Sequence, residues 1–373
     1  MKKNLLTGLL CLSMSAALLA GCGSTASDTA STQSAAESAS VSESSQAATE
    51  EASADTSVSA ETETAADSEV SYPITITHAF GETVIEEKPE RIVTLGWENQ
   101  DTPLALGVVP VGCSAANYGK VTDKNLHTWT DAAFAALGED NPVVFDDTDG
   151  FDYEAINDAA PDVILAAYSG MTEEEYNLLS EIAPVVTYQT APWQTTWREQ
   201  TILNAEGMGM KPEGEAKVAE VDALIQEKLA QYPELAGTKT AFLWISPDDF
   251  STFYAYLPTD PRANFLLDLG LEVPQSILDL AENADDFSVT ISRENADTLS
   301  DVEMIIVYGD EELLTALQAD PLMSSIPAIK NGAVMLLDAT TDMAAATTPS
   351  ILSIPACIDE YLSLLNAAHE NIQ

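Results

Sequence analysis

Short apolar runs alternate with amphipathic stretches along the chain from about residue 72 onward. Residues 91–95 form a β-rich apolar run, residues 100–106 have helical spacing that ends at Gly107, and a second apolar run covers residues 108–111. This order predicts a parallel βαβ unit, whose ligands bind beyond the carboxyl ends of the strands. Trp97 occupies that place after the first strand, and residues 114–118 occupy it after the second. A large aromatic residue such as Trp97 is there either a binding platform or part of the core.

The same alternation continues to about residue 197. A hairpin is predicted over residues 72–88 with its turn at Gly81 and Glu82. Further strands over residues 142–145, 163–167 and 185–188 alternate with helices over residues 154–159 and 173–182. Thr172 with Glu175 forms a capping box that starts the second of these helices. The pattern predicts one doubly wound α/β lobe over residues 72–197.

Two helical stretches, residues 198–210 and 213–232, then interrupt the alternation, and the second is long enough to join two lobes. Strands recur at residues 240–245, 252–256, 304–307 and 333–337, with helices at residues 262–269, 311–319 and 349–366. We therefore predict a connecting helical segment over residues 198–237 and a second lobe over residues 238–373. The expected fold class is α/β, with two doubly wound lobes joined by one long α-helix and a ligand cleft between them.

An internal comparison supports two related lobes. Placing Glu154 on Glu294 without a gap sets two apolar strands over each other and Tyr168 over Tyr308. Each half then repeats a helix with a glutamate, a turn, an apolar strand and a tyrosine. Chance alignment of a few apolar positions is the alternative.

The first seventy residues differ in composition from the rest. Lys2 and Lys3 precede an apolar run over residues 5–20, which predicts a secretion signal over residues 1–21. The sequence Leu-Ala-Gly-Cys that ends at Cys22 resembles a bacterial lipobox, in which the cysteine is lipidated and anchors the protein to a membrane. Residues 22–71 are rich in Ser, Thr, Ala and Glu and contain no aromatic residue, which predicts a disordered acidic tether. A glycan-bearing stalk is the alternative.

Charge and sulfur content narrow the possible partners. A formal net charge of −47 argues against nucleic acid or an anionic lipid surface as a partner. Cys113 and Cys357 lie far apart, one in each half of the chain, which favours buried free thiols over a disulfide. The histidines show no ligand spacing with one another or with cysteine, so we expect no metal site built from protein ligands. They are His78, His127 and His369.

Catalytic motifs are scarce. The sequence contains no Gly-x-Ser-x-Gly, Walker loop or His-Glu-x-x-His, and the Gly-x-Gly at residues 207–209 falls inside a helical stretch. The acidic turn at Asp146, Asp147 and Asp149 lacks the glutamate that completes an EF-hand, so we interpret it as a solvated loop and not as a calcium site. A secreted, two-lobed α/β protein without catalytic motifs is most simply a solute receptor and not an enzyme.

A set of motifs, in order along the chain, resembles the iron-siderophore binding proteins of ABC importers, a family that includes cobalamin and haem receptors. The motifs stand at residues 89–93 (Pro-x-Arg-Ile-Val), 104–112 (Leu-Ala-Leu-Gly-Val-x-Pro-Val-Gly), 161–164 (Pro-Asp-Val-Ile), 320–322 (Asp-Pro-Leu) and 326–332 (Ile-Pro-Ala-Ile-Lys-Asn-Gly). The resemblance covers residues 72–369 and implies two lobes joined by one long helix. It also implies that a ferric siderophore is bound as an intact chelate, so the protein supplies neither metal ligands nor a cofactor. The protein would be a monomer that passes its ligand to an ABC permease on the extracytoplasmic face of the membrane.

The resemblance further implies roles for individual residues. Glu154 and Glu294 match the glutamates with which each lobe docks onto permease arginines, and ordinary first-turn glutamates are the alternative. Trp97 matches a cleft tryptophan of hydroxamate-siderophore receptors, whereas the arginine that follows Asn-Tyr in those receptors is Gly119 here. Arg262 is then the best cationic candidate, with a surface ion pair as the alternative. The other candidate ligand contacts are Asn117, Tyr118, Tyr168, Trp193, Trp244, Tyr256, Phe287 and Met343.

Alternatives to a siderophore receptor stay open at this point. Haem would favour a His, Tyr or Met axial ligand, for which Met343 or a cleft tyrosine is a candidate. Cobalamin would use a broad and mostly uncharged cleft. A stalked cell-surface binding or adhesion module would use the long tether for reach and would need no permease.

Overall fold

The computed structural model describes residues 70–282, 284 and 286–372. The predictions for the signal peptide at residues 1–21, for lipidation of Cys22 and for the tether up to residue 69 lie outside the described residues. Val70 and Ser71, the last residues of the predicted tether, belong to no helix or strand. In the described part of the chain, no helix combines the length and the apolar character needed to cross a membrane.

The first element is an antiparallel hairpin of β1 (Ile74–His78) and β2 (Gly81–Ile85). His78 pairs with Gly81, so the turn consists of Ala79 and Phe80 and the predicted turn at Gly81 and Glu82 was wrong. The Phe80 ring packs on the rings of Tyr176 and Tyr188, at 5.2 and 5.4 Å between centroids. These ring contacts anchor the turn to the lobe and fix the register of the hairpin. The turn-forming residues in the sequence did not indicate these contacts.

The first sheet has five parallel strands in the order β5-β4-β3-β6-β7. Its strands are β3 (Ile92–Thr94), β4 (Gly112–Ser114), β5 (Val144–Phe145), β6 (Val163–Ala166) and β7 (Val185–Thr187). Its helices are α1 (Asp101–Ala105), α2 (Thr128–Ala136), α3 (Tyr153–Asp158) and α4 (Glu173–Ser180). The capping box of Thr172 and Glu175 is present at the start of α4.

Strand β4 begins just beyond the apolar run at residues 108–111 that was predicted to form it. Pro110 has no N–H to donate and interrupts that run. At Gly112, a Cβ atom would come within 2.3 Å of the Phe145 ring. The backbone of Gly112 therefore lies directly against β5, which sets where the strand begins.

Two helices lie between the last strand of the first sheet and the first strand of the second. Helix α5 (Trp197–Gly207) starts with a capping box of Thr196 and Glu199, and helix α6 (Lys211–Leu229) has 19 residues. The buried face of α6 carries Val218, Val221 and Ile225, which belong to the larger core cluster of the second half. Helix α6 occupies the place in the chain that the prediction gave to the connector.

The second sheet is mixed, with strand order β10-β9-β8-β11-β12. Its strands are β8 (Thr240–Ile245), β9 (Thr252–Tyr256), β10 (Ser288–Ser292), β11 (Met304–Tyr308) and β12 (Val334–Leu337). Strands β8, β11 and β12 are parallel, whereas β9 and β10 run antiparallel to their neighbours. The link between β8 and β9, residues 246–251, is too short for a crossover helix, which forces them to pair antiparallel.

The helices of the second lobe surround this sheet. They are α7 (Pro261–Asp268), α8 (Gln275–Ala281), α9 (Glu311–Ala319), α10 (Pro327–Asn331), α11 (Asp342–Ala346) and α12 (Ser353–His369). The prediction of two α/β lobes is thus confirmed, with a half-antiparallel sheet in the second. The internal repeat has a structural counterpart, because β6 and β11 both stand fourth in the order of their sheets.

Candidate functional site

A cavity of about 470 Å³ is lined by residues of both lobes, on loops in the first and on strands, a helix and loops in the second. Ten of its eleven lining residues are aromatic, amide or hydroxyl side chains, and the remaining one is Arg262. The lining residues are Trp97, Asn117, Tyr118, Tyr168, Trp193, Trp244, Tyr256, Arg262, Phe287, Tyr308 and Thr348. The structure therefore brings together every predicted ligand contact except Met343, and their contact with a ligand stays a prediction.

Met343 does not reach this cavity. It lies on α11, is 2% exposed and belongs to the core cluster that includes Tyr361 and Ile358. The Thr341 hydroxyl caps α11 and fixes where the helix begins, which turns Met343 inward. Placing Met343 among the ligand contacts was therefore wrong, because the sequence did not show which face of this short helix is buried.

Two lining residues were absent from the prediction. Tyr308 ends β11, and the internal repeat had already placed it over Tyr168, so the sequence held a usable signal for it. Its hydroxyl lies 3.0 Å from the Thr347 hydroxyl. Thr348 follows a helix end and carries no distinguishing pattern in the sequence.

The Trp97 loop is fixed by buried amide side chains. The backbone N–H of Trp97 donates to the Tyr168 carbonyl (3.2 Å), and the Gln200 side chain donates to the Trp97 carbonyl (2.8 Å). Asn99 is buried and donates from Nδ2 to the carbonyls of Leu95 (2.7 Å) and Tyr168 (2.9 Å). These bonds join the loops that follow β3 and β6, so Trp97 and Tyr168 are held relative to each other.

Trp193 completes this wall with a close approach to the backbone. The backbone N–H of Trp193 donates to the Ser169 carbonyl, and Trp193 has a positive φ of 61°. A Cβ atom at Gly170 would lie 2.5 Å from Trp193 Nε1, so only glycine leaves room for the indole there. The Tyr168 and Trp193 rings meet edge to face at 5.3 Å.

The Tyr118 loop of the first lobe contacts the second lobe directly. The rings of Tyr118 and Tyr308 meet edge to face at 5.5 Å between centroids. Gly119 has a φ of 73°, and a Cβ atom there would lie 2.6 Å from the Ala345 Cβ. An arginine at this position would collide with α11. The close approach of the two lobes at Gly119 therefore excludes the arginine that the family pattern has there.

Arg262 and the rings around it form the opposite wall. The Arg262 guanidinium donates from Nε and Nη2 to the two Asp260 oxygens, at 2.8 and 2.6 Å, and lies 3.8 Å over the Tyr256 ring centroid. Its side chain is 17% exposed and Asp260 is fully buried, so the ion pair is not the surface pair of the alternative interpretation. Burial works to lower the pKa of Arg262, but the Asp260 carboxylate outweighs it and holds that pKa well above its ordinary value. Phe287 lies nearly parallel to Tyr256, at an angle of 14°.

A buried ionisable cluster lies behind Trp97, and the sequence did not reveal it. Glu98, at a φ of 53°, points inward so that its Oε1 is 2.9 Å from His127 Nδ1, although the contact lacks the alignment of a straight hydrogen bond. His127 Nε2 lies 3.0 Å from the Tyr118 carbonyl oxygen. Asp101, fully buried, accepts from Trp129 Nε1 (3.0 Å).

Burial shifts the protonation of this cluster. Burial raises the pKa of Glu98, and His127 only partly opposes that shift. Burial alone would lower the pKa of His127, but the contact with Glu98 raises it by more. Burial and the nearby Glu98 charge raise the pKa of Asp101 to about 7. No local motif marked this cluster, because Glu98 and His127 are 29 positions apart.

The two glutamates predicted to dock onto a permease are both exposed. Glu154 lies in the first turn of α3 and lines a surface groove together with Leu178. Glu294 lies in the 3₁₀ helix Arg293–Leu299, where Arg293 Nη1 pairs with Asp320 Oδ2 at 3.1 Å. The glutamates thus stand on equivalent segments with different helical geometry.

No group of three or more His, Cys, Asp or Glu side chains suited to a metal ion occurs among residues 70–282, 284 and 286–372. In the acidic turn predicted as a solvated loop, Asp146 and Asp149 are exposed, whereas Asp147 is half-buried and accepts a 2.5 Å hydrogen bond from the Ser114 hydroxyl. Cys113 and Cys357 are free and buried, as predicted.

Two α/β lobes that enclose an aromatic cavity define a solute-binding protein. The chain belongs to the periplasmic binding protein family, whose model matches residues 92–341. The family that the motifs indicated is thereby confirmed.

Three similar proteins illustrate the relationship. PiaA of Streptococcus pneumoniae TIGR4, solved in complex with ferrichrome, is 45% identical with a TM-score of 0.78, over 80% of this chain and 100% of that chain. The ferric-anguibactin-binding protein FatB of Vibrio anguillarum is 25% identical over 300 residues, which is 78% of this chain and 87% of FatB. The putative ABC transporter substrate-binding lipoprotein YhfQ of Bacillus subtilis is 23% identical over 278 residues, which is 72% of this chain and 81% of YhfQ.

Proposed function

We propose that this protein captures a ferric siderophore of the neutral hydroxamate type and delivers it to an ABC permease. The observation that carries the proposal is the cavity itself, whose walls are aromatic and whose one charged lining residue, Arg262, is paired with buried Asp260. The similarity to PiaA, a protein solved with ferrichrome, supports the same ligand class.

The charge balance of the cavity favours a neutral chelate. Arg262 and Asp260 cancel each other, so an anionic ligand would have to compete with a buried carboxylate for the guanidinium. Three hydroxamates each contribute one negative charge and together neutralise Fe³⁺, whereas three catecholates leave the complex strongly anionic. The Nη1 nitrogen of Arg262 stands outside the pair with Asp260 and is the atom that we assign to a hydroxamate oxygen.

The dimensions and walls of the cavity suit such a ligand. A volume of about 470 Å³ falls in the usual range of roughly 300–1,000 Å³ for small-molecule sites. Because the chelator already wraps the iron, the protein needs aromatic and hydrogen-bonding surface and no metal ligands of its own. The haem alternative loses its methionine candidate, since Met343 is buried in the core.

A ligand panel tests this proposal. Ferrichrome, a ferric tris-catecholate, haemin and cyanocobalamin are each titrated into the purified protein while tryptophan emission is recorded. We expect saturable quenching by ferrichrome and much weaker binding of the catecholate complex. Tighter binding of haemin or cyanocobalamin would replace the siderophore assignment, and absence of binding to all four would contradict the receptor function.

We assign docking on the permease to Glu154 and Glu294, because both are exposed and stand on equivalent segments of the two lobes. Changing both residues to Ala should abolish uptake of the ferric chelate by cells and leave ligand affinity unchanged. Glu213→Ala, an exposed glutamate on α6, is the matched control and should preserve uptake. A large loss of affinity in the double variant would contradict the assignment.

We also assign the protein to the extracytoplasmic face of the membrane, held by lipid on Cys22. The lipobox-like sequence before Cys22 and the similarity to the lipoprotein YhfQ support this assignment. Cys22→Ser should release the protein from the membrane fraction of cells. Retention of the variant in that fraction would show that something other than the lipid holds it.

A further inference from the structure

One buried histidine contacts both loops that carry Trp97 and Tyr118. His127 Nδ1 lies 2.9 Å from Oε1 of Glu98, the residue directly after Trp97. His127 Nε2 lies 3.0 Å from the carbonyl oxygen of Tyr118. The ring is 2% exposed and does not line the aromatic cavity. His127 is thus placed behind the wall, where it joins the two loops from the protein interior.

These two contacts constrain the protonation of the His127 ring. A carbonyl oxygen only accepts, so Nε2 of His127 bears a hydrogen and donates it to Tyr118. Nδ1 faces a carboxyl group, either as an imidazolium against a carboxylate or as a neutral ring against a protonated acid. In both forms the Glu98 and His127 side chains share one proton and carry no net charge together. A buried pair of this kind is stable only while both partners stay in place.

The imidazole is also held in orientation by its aromatic neighbours. The Trp129 ring stacks on it at 4.8 Å between centroids and an angle of 29°, and the Trp97 ring lies 5.1 Å from it at 54°. Because His127 is itself the N-cap of α2, its backbone is fixed by that helix. The two neighbouring rings therefore limit the orientations that the imidazole can adopt.

We propose that His127 is a positioning residue for ligand binding, which sets the separation of the Trp97 and Tyr118 loops and so the shape of the cavity on the first-lobe side. The inference rests on the proposed function, since it concerns the same cavity. Its physical basis is preorganisation, because loops already held in the bound arrangement need not be ordered when the ligand arrives.

The first test is His127→Phe, which keeps an aromatic ring and removes both nitrogen contacts. We expect the affinity for ferrichrome to fall roughly tenfold to a hundredfold, because two loops lose their common contact and Glu98 loses its partner. His78→Phe is the matched control, since His78 is also buried and uses both ring nitrogens, towards Thr83 Oγ1 (3.0 Å) and the Phe80 N–H (3.2 Å). It should lower thermal stability and leave affinity within about twofold. Equal losses of affinity in the two variants would show that His127 contributes only to the general stability of the protein, which would overturn the proposal.

Two conservative variants separate the two contacts. The Gln side chain in His127→Gln carries an amide at the position of Nε2 and can donate to the Tyr118 carbonyl. The shorter Asn in His127→Asn carries its amide at the position of Nδ1 and can donate to Glu98. We expect each variant to recover part of the affinity lost in His127→Phe. Failure of both to recover any affinity would contradict the roles given to the two nitrogens, and both stay measurable if the Phe variant does not fold.

A measurement without ligand keeps this inference separate from the proposed function. Acrylamide quenching of Trp97 is obtained as the difference between each protein and the same protein carrying Trp97→Phe. His127→Phe should increase the accessibility of Trp97, whereas His78→Phe should not. Unchanged accessibility in His127→Phe would overturn the positioning role even if ferrichrome binds, and increased accessibility would support it even if the wild-type protein binds no siderophore.

Discussion

The two walls of the cavity hold their aromatic side chains by different means. On the first-lobe wall, Trp97 and Tyr168 stand on loops after parallel strands, and hydrogen bonds from buried amides such as Asn99 fix those loops. On the second-lobe wall, Tyr256 lies on the antiparallel strand β9 and is fixed by contacts with Arg262 and Phe287. The first wall is held through its backbone and the second through its side chains.

One ring of each wall also differs in exposure. Trp244 is 38% exposed, and its main ring contact is the equally exposed Tyr254 at 5.4 Å. Tyr168, in contrast, is buried and its loop is bonded on both sides. A wall held by hydrogen bonds is already in position before the ligand arrives, whereas exposed rings keep rotamer freedom that binding has to remove. We therefore expect the first wall to supply a rigid platform and the second to adjust around the ligand.

The largest effect is expected at Arg262, the charged lining residue of the second wall. Arg262→Ala leaves the Asp260 carboxylate buried without its partner, which should destabilise the protein by about 3–5 kcal/mol. Loss of the Nη1 donor should weaken ferrichrome binding on the order of a hundredfold. Calorimetric titration and thermal unfolding measure the two effects.

A double change separates binding from stability at this point. Arg262→Met with Asp260→Asn removes both charges together, so most of the lost stability should return. The affinity should stay low, because the donor is still missing. Recovery of full affinity in the double variant would show that Arg262 acts only on the fold.

The next effect compares one tryptophan from each wall. Trp97→Ala should weaken ferrichrome binding by roughly tenfold to a hundredfold, because it removes an aromatic lining residue whose backbone is anchored by hydrogen bonds. Trp244→Ala should change affinity by less than about threefold, since that ring is more exposed and less constrained. Titrations under the same conditions measure both. Equal losses would remove the proposed distinction between the walls.

A smaller effect concerns the place where the walls meet. Gly119→Ala combines a positive φ with a clash against Ala345, so we expect a loss of roughly 1–3 kcal/mol in the free energy of unfolding and weaker ligand binding. Gly138→Ala is the control, because Gly138 has a φ of 85° and no atom within 4 Å of an added Cβ. The difference between the two variants in denaturant unfolding isolates the steric contact between the lobes. Equal free energies of unfolding in the two variants would mean that the contact between the lobes adapts to the added methyl group.

The smallest effect on ligand binding is expected behind the first wall, where buried ionisable groups make stability depend on pH. The pKa of Asp101 is about 7 in the folded protein and about 4 in an unfolded chain. Between about pH 4 and 7 the folded state binds one more proton than the unfolded chain, so the stability from this group is lost progressively as pH rises from about 4 to about 7. The raised pKa values of Glu98 and His127 act in the same direction. Thermal unfolding between pH 5 and 8 should show a steeper fall for the wild-type protein than for Asp101→Asn, and equal slopes would contradict this account.

The sequence was sufficient for much of the cavity lining. Aromatic residues that directly follow apolar runs, such as Trp97 and Tyr168, were predicted because parallel strands bring their carboxyl ends to one edge of a sheet. The docking candidate Glu154 came instead from the family resemblance, and the structure places it in the first turn of α3. Tyr308 could have been added from the internal repeat alone.

Other features depended on contacts between distant parts of the chain. Met343 was misplaced because a five-residue helix such as α11 has too few positions to define a buried face from sequence. The second sheet was expected to be doubly wound like the first, whereas the short link after β8 makes β9 antiparallel. The pair of Glu98 and His127 had no local signal, because neither residue has a motif partner nearby.

The sequence by itself determined the family, the order of most strands and helices, and most of the side chains that face the cavity, whereas α8 and β10 were not predicted. Periodicity and motif spacing are local properties, and they carry this information directly. The tertiary structure alone decided that Arg262 pairs with Asp260, that Gly119 lies against α11, and that His127 contacts two loops at once. Each of these depends on distances between segments that only the folded chain brings together.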